Sequence, residues 1–324
     1  SFCPPATMRV PSMKIHFLGV RGSIPTPLGS EAVRSKISAV VQRITRKDIE
    51  SSESREKFLA SLPEEIFSTV GGNTSCVEVS VPGSDRILFD AGTGIRNLGA
   101  RAATTRAPER WHIFFSHFHW DHIQGLPFFA PAFQASSRIA LYSPEPGLRE
   151  TLEGQIRPPY FPVTMDMMRA NLEFVRIGPE GVKLGEAHVI PRRMNHPGGC
   201  WSYSVLCCGK KAVYSTDTEL GPEDFERTPD NTAYFREADA LIIDAQYTLG
   251  EALEKYNWGH SSFGIAADFA STWGIKRLVL FHHEPANDDV KIQKLFQSAK
   301  WYADRLASKG LEVILARDGL VVEV

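Results

Sequence analysis

Four side chains able to ligate a metal fall within six residues of the stretch SHFHWDHIQG, at positions 116–125. The apolar residues in front of it predict a buried strand, on which side chains repeat every two residues. His117 and His119 therefore point to the same side, and a chain that then leaves the strand brings Asp121 and His122 in from another direction. Burying so many polar groups without partners is costly. Neutral imidazole and carboxylate oxygen are ordinary ligands of zinc and similar divalent metals, so the stretch predicts a metal site.

This His-x-His-x-Asp-His pattern resembles the signature of the metallo-β-lactamase superfamily of dinuclear metallohydrolases. The resemblance implies an α/β fold, a four-layer αβ/βα sandwich of two mixed β-sheets flanked by helices. The patterning agrees with it, because strand-like and helix-like segments alternate in both halves of the chain. Residues 13–324 are interpreted as one hydrolase domain of this kind, and residues 1–12 as a disordered lead-in.

Composition narrows the class of protein. With 324 residues, of which 43% are hydrophobic, the chain can bury a large core. A net charge of −2 gives no global basic field that would gather nucleic acid, although it leaves a local basic patch open. The five cysteines form no Cys-x-x-Cys pair, so neither a disulfide framework nor a structural zinc site is indicated and a cytoplasmic location is expected. No stretch approaches the apolar length of a membrane span, so no membrane partner is expected.

Three further candidate ligands, His196, Asp217 and His282, each lie beside a predicted strand in the second half of the chain. Their order resembles the superfamily pattern of a His-rich motif, a single His, a bridging Asp and a final His. By this resemblance one metal ion is held by His117, His119 and His196, the other by Asp121, His122 and His282, with Asp217 between them. The Leu-x-His-x-x-Pro pattern favours His282 over its neighbour His283.

Asp90, at the end of another predicted strand, has two interpretations. It can cap the turn that follows, or, as the resemblance implies, support the metal-binding histidines through hydrogen bonds. Histidine and carboxylate ligands favour two zinc ions and also admit manganese or iron.

The sequence WGHSS at positions 258–262 precedes a predicted helix at 262–273, for which a serine is available as N-cap. This Gly-His-Ser turn resembles the phosphodiesterase branch of the superfamily, which includes the tRNA 3′-processing endonucleases. The resemblance implies that His260 contacts the phosphate or protonates the leaving oxygen, and that Asp244 orients it. A carboxylate partner also raises the pKa of an imidazole, which suits it to donate a proton. The alternative is a helix-capping or surface His260 and an Asp244 that makes a local turn.

Residues 30–67 form an unusual segment, because the superfamily resemblance implies only a short connection here. Apolar residues recur at helical spacing among polar ones, at Val33, Ile37, Val40, Val41 and Ile44. The favoured interpretation is a surface helical pair packed on the core. A lid over the site and a dimer contact are the alternatives.

The end of the chain predicts a helix and two strands. The helix covers residues 290–309 and is stopped by Gly310. Residues 311–316 and 320–324 predict strands joined by a turn at 317–319, in the manner of a hairpin.

These features predict a dinuclear metal-dependent hydrolase that cleaves a small phosphodiester, cyclic ones included, through a metal-bridging hydroxide. Asp121 would both ligate a metal ion and orient that hydroxide. His260 and Asp244 would complete the catalytic set.

Four questions remain open at this point. RNA 3′-end processing is the first alternative, and nucleic acid is the less favoured partner because the long basic, glycine-rich arm of ribonuclease Z is not found. Lactone, thioester or β-lactam hydrolysis is the second, and it has less need of His260. A metal-binding regulatory or scaffold protein is the non-enzymatic alternative. The presence of every expected metal ligand in the sequence argues against it. A homodimer is also left open.

Overall fold

The computed structural model describes residues 12–102, 110–306 and 310–324. The predicted lead-in lies outside the described residues except for Ser12. Within them, the strands form two seven-stranded sheets. In order across the first sheet these are β14 (Val321–Glu323), β1 (Lys14–Gly19), β2 (Cys76–Ser80), β3 (Arg86–Phe89), β4 (Arg110–Phe114), β5 (Arg138–Ser143) and β6 (Asn171–Arg176). Across the second they are β13 (Glu312–Leu315), β12 (Arg277–Phe281), β11 (Ala240–Asp244), β10 (Lys210–Ser215), β9 (Cys200–Cys207), β8 (Ala187–Met194) and β7 (Val182–Leu184).

Helices cover the outer faces and the connections. The α-helices of the described residues are α1 (Ser30–Val41), α2 (Ser52–Ser61), α3 (Glu64–Phe67), α4 (Ile95–Ala102), α5 (Trp120–Ile123), α6 (Leu148–Gln155), α7 (Pro222–Phe225), α8 (Pro229–Phe235), α9 (Leu249–Glu254), α10 (Phe263–Thr272) and α11 (Asp289–Ala303). Short 3-10 turns cover Arg46–Ile49, Leu126–Phe128, Ala130–Phe133 and Met165–Met167. Among the described helices, none has the length and apolarity needed to cross a bilayer.

The two sheets repeat one pattern of pairing. Four neighbouring strands of each sheet pair antiparallel: β14, β1, β2 and β3 in the first sheet, and β7, β8, β9 and β10 in the second. The strands that follow in each sheet are parallel. The parallel strands are apolar on both faces because the second sheet covers one face and helices cover the other. On β3, for example, Phe89 belongs to the core between the sheets while Leu88 packs towards the outer helices. The predicted four-layer αβ/βα fold is confirmed.

The carboxyl ends of the parallel strands are the positions that matter for the site. In open α/β sheets ligands bind outside these ends, where the loops leave the strands. Here β3 and β4 end beside β10, β11 and β12 of the facing sheet, because tightly packed aromatic residues hold the sheets together. Phe89 stacks on Tyr203 and Tyr214, with ring centroids 5.5 and 5.2 Å apart.

The insertion lies on the surface, as expected, and α3 contacts helix α11, but its helices bury less apolar surface than packing on the core implies. Helices α1 to α3 contain no buried residue, and Ile37 of α1 is 59% exposed. Polar contacts attach α1 instead, since Lys36 lies 2.8 Å from the Asp289 carboxylate at the start of α11. Helical spacing alone predicts an amphipathic helix without saying what covers its apolar side.

Two expectations for the end of the chain are wrong. Helix α11 ends at Ala303, before the predicted end at 309, and residues 307–309 lie outside the described residues. The last two strands do not pair with each other. Strand β13 extends the second sheet beside β12, whereas β14 extends the first beside β1. The turn at 317–319 therefore carries the chain from one sheet to the other.

Candidate metal centre

Three strand ends place carboxylate or imidazole groups at the site through unusual backbone conformations. Asp90 after β3, Asp217 after β10 and His282 after β12 have φ angles of 61°, 23° and 57°. Such left-handed conformations cost a non-glycine residue about 1–3 kcal/mol and concentrate at functional sites. The strain turns each side chain inward at the point where its strand ends.

The first group of side chains contains three imidazoles. Nε2 of His117 lies 2.9 Å from Nδ1 of His119, which in turn lies 3.2 Å from Nε2 of His196. Burial is the main cause that lowers the pKa of all three, so each nitrogen faces its neighbours in the neutral form. Converging lone pairs repel one another unless a cation or proton lies between them, so this arrangement suits a metal ion.

The second group contains Asp121, His122 and His282. Oδ2 of Asp121 lies 3.1 Å from Nε2 of His122 and 3.2 Å from Nε2 of His282. Burial alone would raise the pKa of the Asp121 carboxyl, but the two imidazoles hold it well below its usual range. Burial likewise opposes the charge on His122, yet the neighbouring carboxylates Asp121 and Asp217 hold its pKa well above the usual value.

Asp217 joins the two groups with different oxygens. Its Oδ2 lies 3.6 Å from Nε2 of His117 and 3.8 Å from Nε2 of His196. Its Oδ1 lies 3.2 Å from Nε2 of His122 and 3.0 Å from Nε2 of His282. Both four-residue sets have their candidate ligand atoms within 4.8 Å of one another. The seven residues predicted as ligands are thus brought together, in the same two sets that the sequence resemblance implies.

Hydrogen bonds to neighbouring groups orient these candidate ligands. Asp90 is fully buried, and its carboxylate lies 2.7 Å from Nδ1 of His122 and accepts hydrogen bonds from Ser116 and from the Tyr214 hydroxyl. Nδ1 of His196 lies 2.9 Å from the Gly259 carbonyl oxygen. Such contacts fix ring orientation and leave the other nitrogen free for a metal. Of the two interpretations of Asp90, its geometry favours the supporting one.

The neighbours His282 and His283 point in different directions. His282 faces Asp121 and Asp217, whereas Nε2 of His283 lies 2.9 Å from the Ala316 carbonyl oxygen. Burial lowers the pKa of His283 to about 3, as expected for a neutral imidazole inside the fold. His283 has a packing role, and His282 is the candidate ligand.

His260 and Asp244 form a pair beside the cluster. Nδ1 of His260 lies 2.5 Å from Oδ2 of Asp244, the last residue of β11. The His260 ring lies 5.3 Å from that of His196 and 5.2 Å from that of His282, measured between centroids. Burial lowers the pKa of His260, but the Asp244 carboxylate outweighs it and raises that pKa to about 9.

A cleft of about 470 Å³ opens onto these groups. It is lined by Ser23, Phe118, His119, Trp120, Asp121, His196, Pro197, Asp217, Trp258 and His260. Trp120 is 76% exposed and Trp258 61%, so two large aromatic surfaces flank the cluster. The helical insertion at 30–67 contributes no residue to this lining.

Sequence reasoning missed the loop after β1. The Ser23 backbone N–H donates a 2.7 Å hydrogen bond to Oδ2 of Asp121. A Cβ at Gly22 would lie 2.6 Å from the His282 ring, so this close approach requires glycine. Gln246 also contacts Nδ1 of His282 at 2.9 Å. The stretch Arg-Gly-Ser after a strand was the available signal, but a backbone donor leaves no mark in the side-chain pattern.

Comparison with known proteins places the chain among related sequences. Residues 85–283 match the family model of the β-lactamase superfamily domain. The chain is 26% identical to a ribonuclease Z of Clostridium perfringens in a 260-residue alignment that covers 64% of this chain and 82% of that protein. Its fold is similar to that of the metallo-β-lactamase fold protein YhfI of Bacillus subtilis, with a TM-score of 0.63, 16% identity and coverage of 97% and 100% of the two chains. It is also similar to a diphosphatase from the PhnP family, with a TM-score of 0.61, 19% identity and coverage of 96% and 98%.

Proposed function

Because the chain belongs to the β-lactamase superfamily and is a metal-dependent hydrolase, we propose that it cleaves a small phosphodiester, cyclic ones included, with two metal ions. The observation that carries the proposal is the His260–Asp244 pair next to two sets of candidate ligands that share Asp217. The proposal treats residues 13–324 as one hydrolase domain with an insertion at 30–67.

The residues present fit two divalent ions. Nε2 of His122 is buried and makes no hydrogen bond within the described residues, although it faces Asp121 and Asp217. An imidazole nitrogen left in this position is suited to a metal ion. One ion would be held by His117, His119, His196 and Asp217, the other by Asp121, His122, His282 and Asp217. When bound, two such ions supply a reactive water at neutral pH and neutralise phosphate charge. Zinc suits the ligand set best, and manganese or iron also fits it.

Asp121 and His260 have separate tasks in this proposal. Asp121 accepts a hydrogen bond from the Ser23 backbone, which holds its carboxylate in position to orient the attacking water. His260 faces the same cleft, and its Asp244 partner keeps a proton on the ring. A proton delivered from His260 to the departing oxygen makes that oxygen a better leaving group. Hydrolysis of a lactam or thioester needs the metal ions but has less use for this second histidine.

The cleft favours a small substrate over a folded RNA. No lysine or arginine is among the described residues that line it, so it offers no cationic track for a phosphate backbone. The exposed rings of Trp120 and Trp258 instead suit a planar group such as a nucleobase, which stacks on aromatic side chains. Lys255 does not line the cleft, but its Nζ lies 5.6 Å from the centroid of the Trp258 ring. Stacking on the two rings is therefore the interaction that we expect to hold the remainder of the substrate.

RNA 3′-end processing is the second candidate because the sequence relative is named ribonuclease Z. It requires a basic surface beside the cleft and a steep loss of RNA binding with added salt. A regulatory or scaffold role without turnover is disfavoured, since the insertion does not line the cleft.

Two further parts of the proposal concern the setting of the enzyme. Cys76, Cys200, Cys207 and Cys208 are free thiols, which supports a reducing compartment such as the cytoplasm. The exposed apolar residues Val33, Ile37 and Val41 of α1 are where a homodimer contact would lie.

The decisive experiment is a substrate panel offered to the protein loaded with zinc or manganese. We expect hydrolysis of bis(4-nitrophenyl) phosphate and of cyclic nucleotides. Inactivity on these compounds combined with ready cleavage of a lactone, thioester or lactam would overturn the phosphodiesterase assignment. Preferential cleavage of a tRNA precursor would favour the RNA-processing alternative.

A further inference from the structure

A second cavity of about 970 Å³ lies apart from the metal cleft. It is bounded by the ends of β5 and β6 in the first sheet, by β8 and β9 in the second, and by α8. Among the described residues, none lines both this cavity and the metal cleft. Its volume is in the range of sites that enclose a small organic ligand.

Three arginines, Arg176, Arg192 and Arg193, line this cavity. Within the described part of the chain, none of them forms an ion pair with an acidic side chain. Nε of Arg176 donates to the Pro144 carbonyl oxygen at 3.3 Å, and Arg192 donates to the Asn231 side chain. The Arg193 side chain makes no hydrogen bond to another described residue. Guanidinium groups with unused donors recognise carboxylates and phosphates in two-pronged geometry.

Two acidic side chains in the lining reduce this positive charge without cancelling it. One of them, Glu145, accepts a 2.9 Å hydrogen bond from the indole N–H of Trp201. That contact holds the Trp201 ring at the cavity wall, where the ring is half-buried. Ile177 and Leu206 add apolar surface beside it. The lining therefore combines free guanidinium groups with an aromatic and aliphatic wall.

The strand edge along the cavity argues against an extended peptide as the ligand. Strand β7 pairs with β8 only as far as Val189, so the next residues of β8 have an open edge. Pro191 lies in this open stretch and has no N–H to donate. Natural edge strands use proline to prevent the addition of another strand.

We propose that this cavity binds a small organic anion, whose phosphate or carboxylate group is held by Arg176 and Arg193 and whose ring packs against Trp201. The site does not depend on the proposed reaction. It does share a hairpin with the metal centre, because Arg193 on β8 pairs with Trp201 on β9 and the turn between them carries His196. The backbone N–H of Trp201 donates a 2.8 Å hydrogen bond to the carbonyl oxygen of Ser116, the residue before His117.

The test uses 8-anilinonaphthalene-1-sulfonate, an aromatic anion whose fluorescence rises on binding, titrated into the metal-loaded protein. We expect Arg176→Ala and Arg193→Ala each to weaken binding about tenfold or more, because each removes a charge-assisted hydrogen bond. Arg193→Lys should fall between wild type and Arg193→Ala, since it keeps the charge and loses the planar fork. Arg227→Ala is the matched control, because Arg227 is exposed and does not line the cavity.

Competition separates the two sources of the anion. Displacement of the probe by phenyl phosphate alone identifies a phosphate ligand, displacement by benzoate alone a carboxylate ligand, and displacement by both the shared anion chemistry. The proposal is overturned by displacement with neither compound, by unchanged binding in both alanine variants, or by an equal loss in Arg227→Ala.

Discussion

Oδ2 of Asp244, the last residue of β11, lies 2.5 Å from Nδ1 of His260, which lies in the loop before α10. Asp244 is fully buried, and His260 borders the metal cleft. The contact therefore links a buried carboxylate to an imidazole that a substrate can reach, and it fixes which ring nitrogen points away from the cleft.

Loss of His260 should reduce turnover without removing metal. We expect His260→Ala to lower kcat by about 10²–10⁴-fold towards a phosphodiester with a poor leaving group, the usual contribution of a positioned acid. Asp244→Asn should act in the same direction. Activated aryl esters should be affected far less, because their leaving group needs no proton. Steady-state kinetics on both esters, with metal content measured in parallel, checks this; equal losses on the two esters would contradict a proton-donor role.

The adjacent residues His282 and His283 provide a matched pair for the metal assignment. We expect His282→Gln to lose about one metal ion per chain, since the second ligand set loses a nitrogen ligand. His283→Gln should retain both ions, because His283 contacts a backbone carbonyl oxygen instead. Metal analysis of the two purified variants decides the matter. Retention of both ions in His282→Gln would show that the second set is misassigned.

Asp217 should affect both ions at once. Its two oxygens face different ligand groups, so Asp217→Ala removes a ligand from each. We expect less than one ion per chain and no measurable hydrolysis. Calorimetric titration of the metal-free variant with zinc measures the binding events that remain. Two events of wild-type affinity would exclude a bridging role for Asp217.

The exposed tryptophans of the cleft should bind the planar part of a substrate. We expect Trp120→Ala or Trp258→Ala to raise KM for a cyclic nucleotide roughly 5- to 150-fold, since stacking contributes about 1–3 kcal/mol per base. Trp301→Ala is the control, because Trp301 is 59% exposed but lies on α11 and does not line the cleft. A similar rise in KM for the control would point to a general effect on the protein.

Asp318 should make stability depend on pH. Its carboxylate accepts hydrogen bonds from Gly72 and Asn73, but burial is the larger effect and raises its pKa from 3.8 to about 6. Between pH 3.8 and about pH 6, Asp318 therefore still holds a proton in the folded state that it has already released in the unfolded state. The resulting penalty is absent below about pH 4, grows up to about pH 6 and reaches at most about 3 kcal/mol above it.

Asp318→Asn removes this titration. We expect the free energy of unfolding of the variant to gain on that of the wild type as pH rises from 4 to 7. Urea unfolding at several pH values measures the difference. A difference that stays constant across this range would show that Asp318 is ionised at all of them.

The residues that converge at the site could be predicted because ligand types are sparse and strand ends are visible in the sequence. An apolar run followed by Asp or His marks such an end, as for Asp217 and His282, and parallel strands bring these ends together. The contribution of Ser23 could not be predicted, because a backbone N–H looks the same in every residue. Gly22 likewise matters only through the atoms that pack against it.

The errors in the fold have a similar cause. The turn at 317–319 predicts a hairpin of the strands at 311–316 and 320–324, yet each of these strands pairs in a different sheet. Local patterns describe a strand but not its neighbour. Helical spacing predicts that α1 has an apolar side, and the three-dimensional structure shows that Val33, Ile37 and Val41 on it are exposed.

The candidate ligands are divided between the two sheets, with His117, His119, Asp121 and His122 following β4 and His196, Asp217 and His282 belonging to the other sheet. A cation bound there would have ligands from both sheets and would therefore hold the two sheets together. Binding energy that is available only in the folded state adds directly to resistance against unfolding. When the ion is scarce, the protein would then be degraded faster by proteases and would also lose its activity. The cellular abundance and the activity of the protein would therefore fall together.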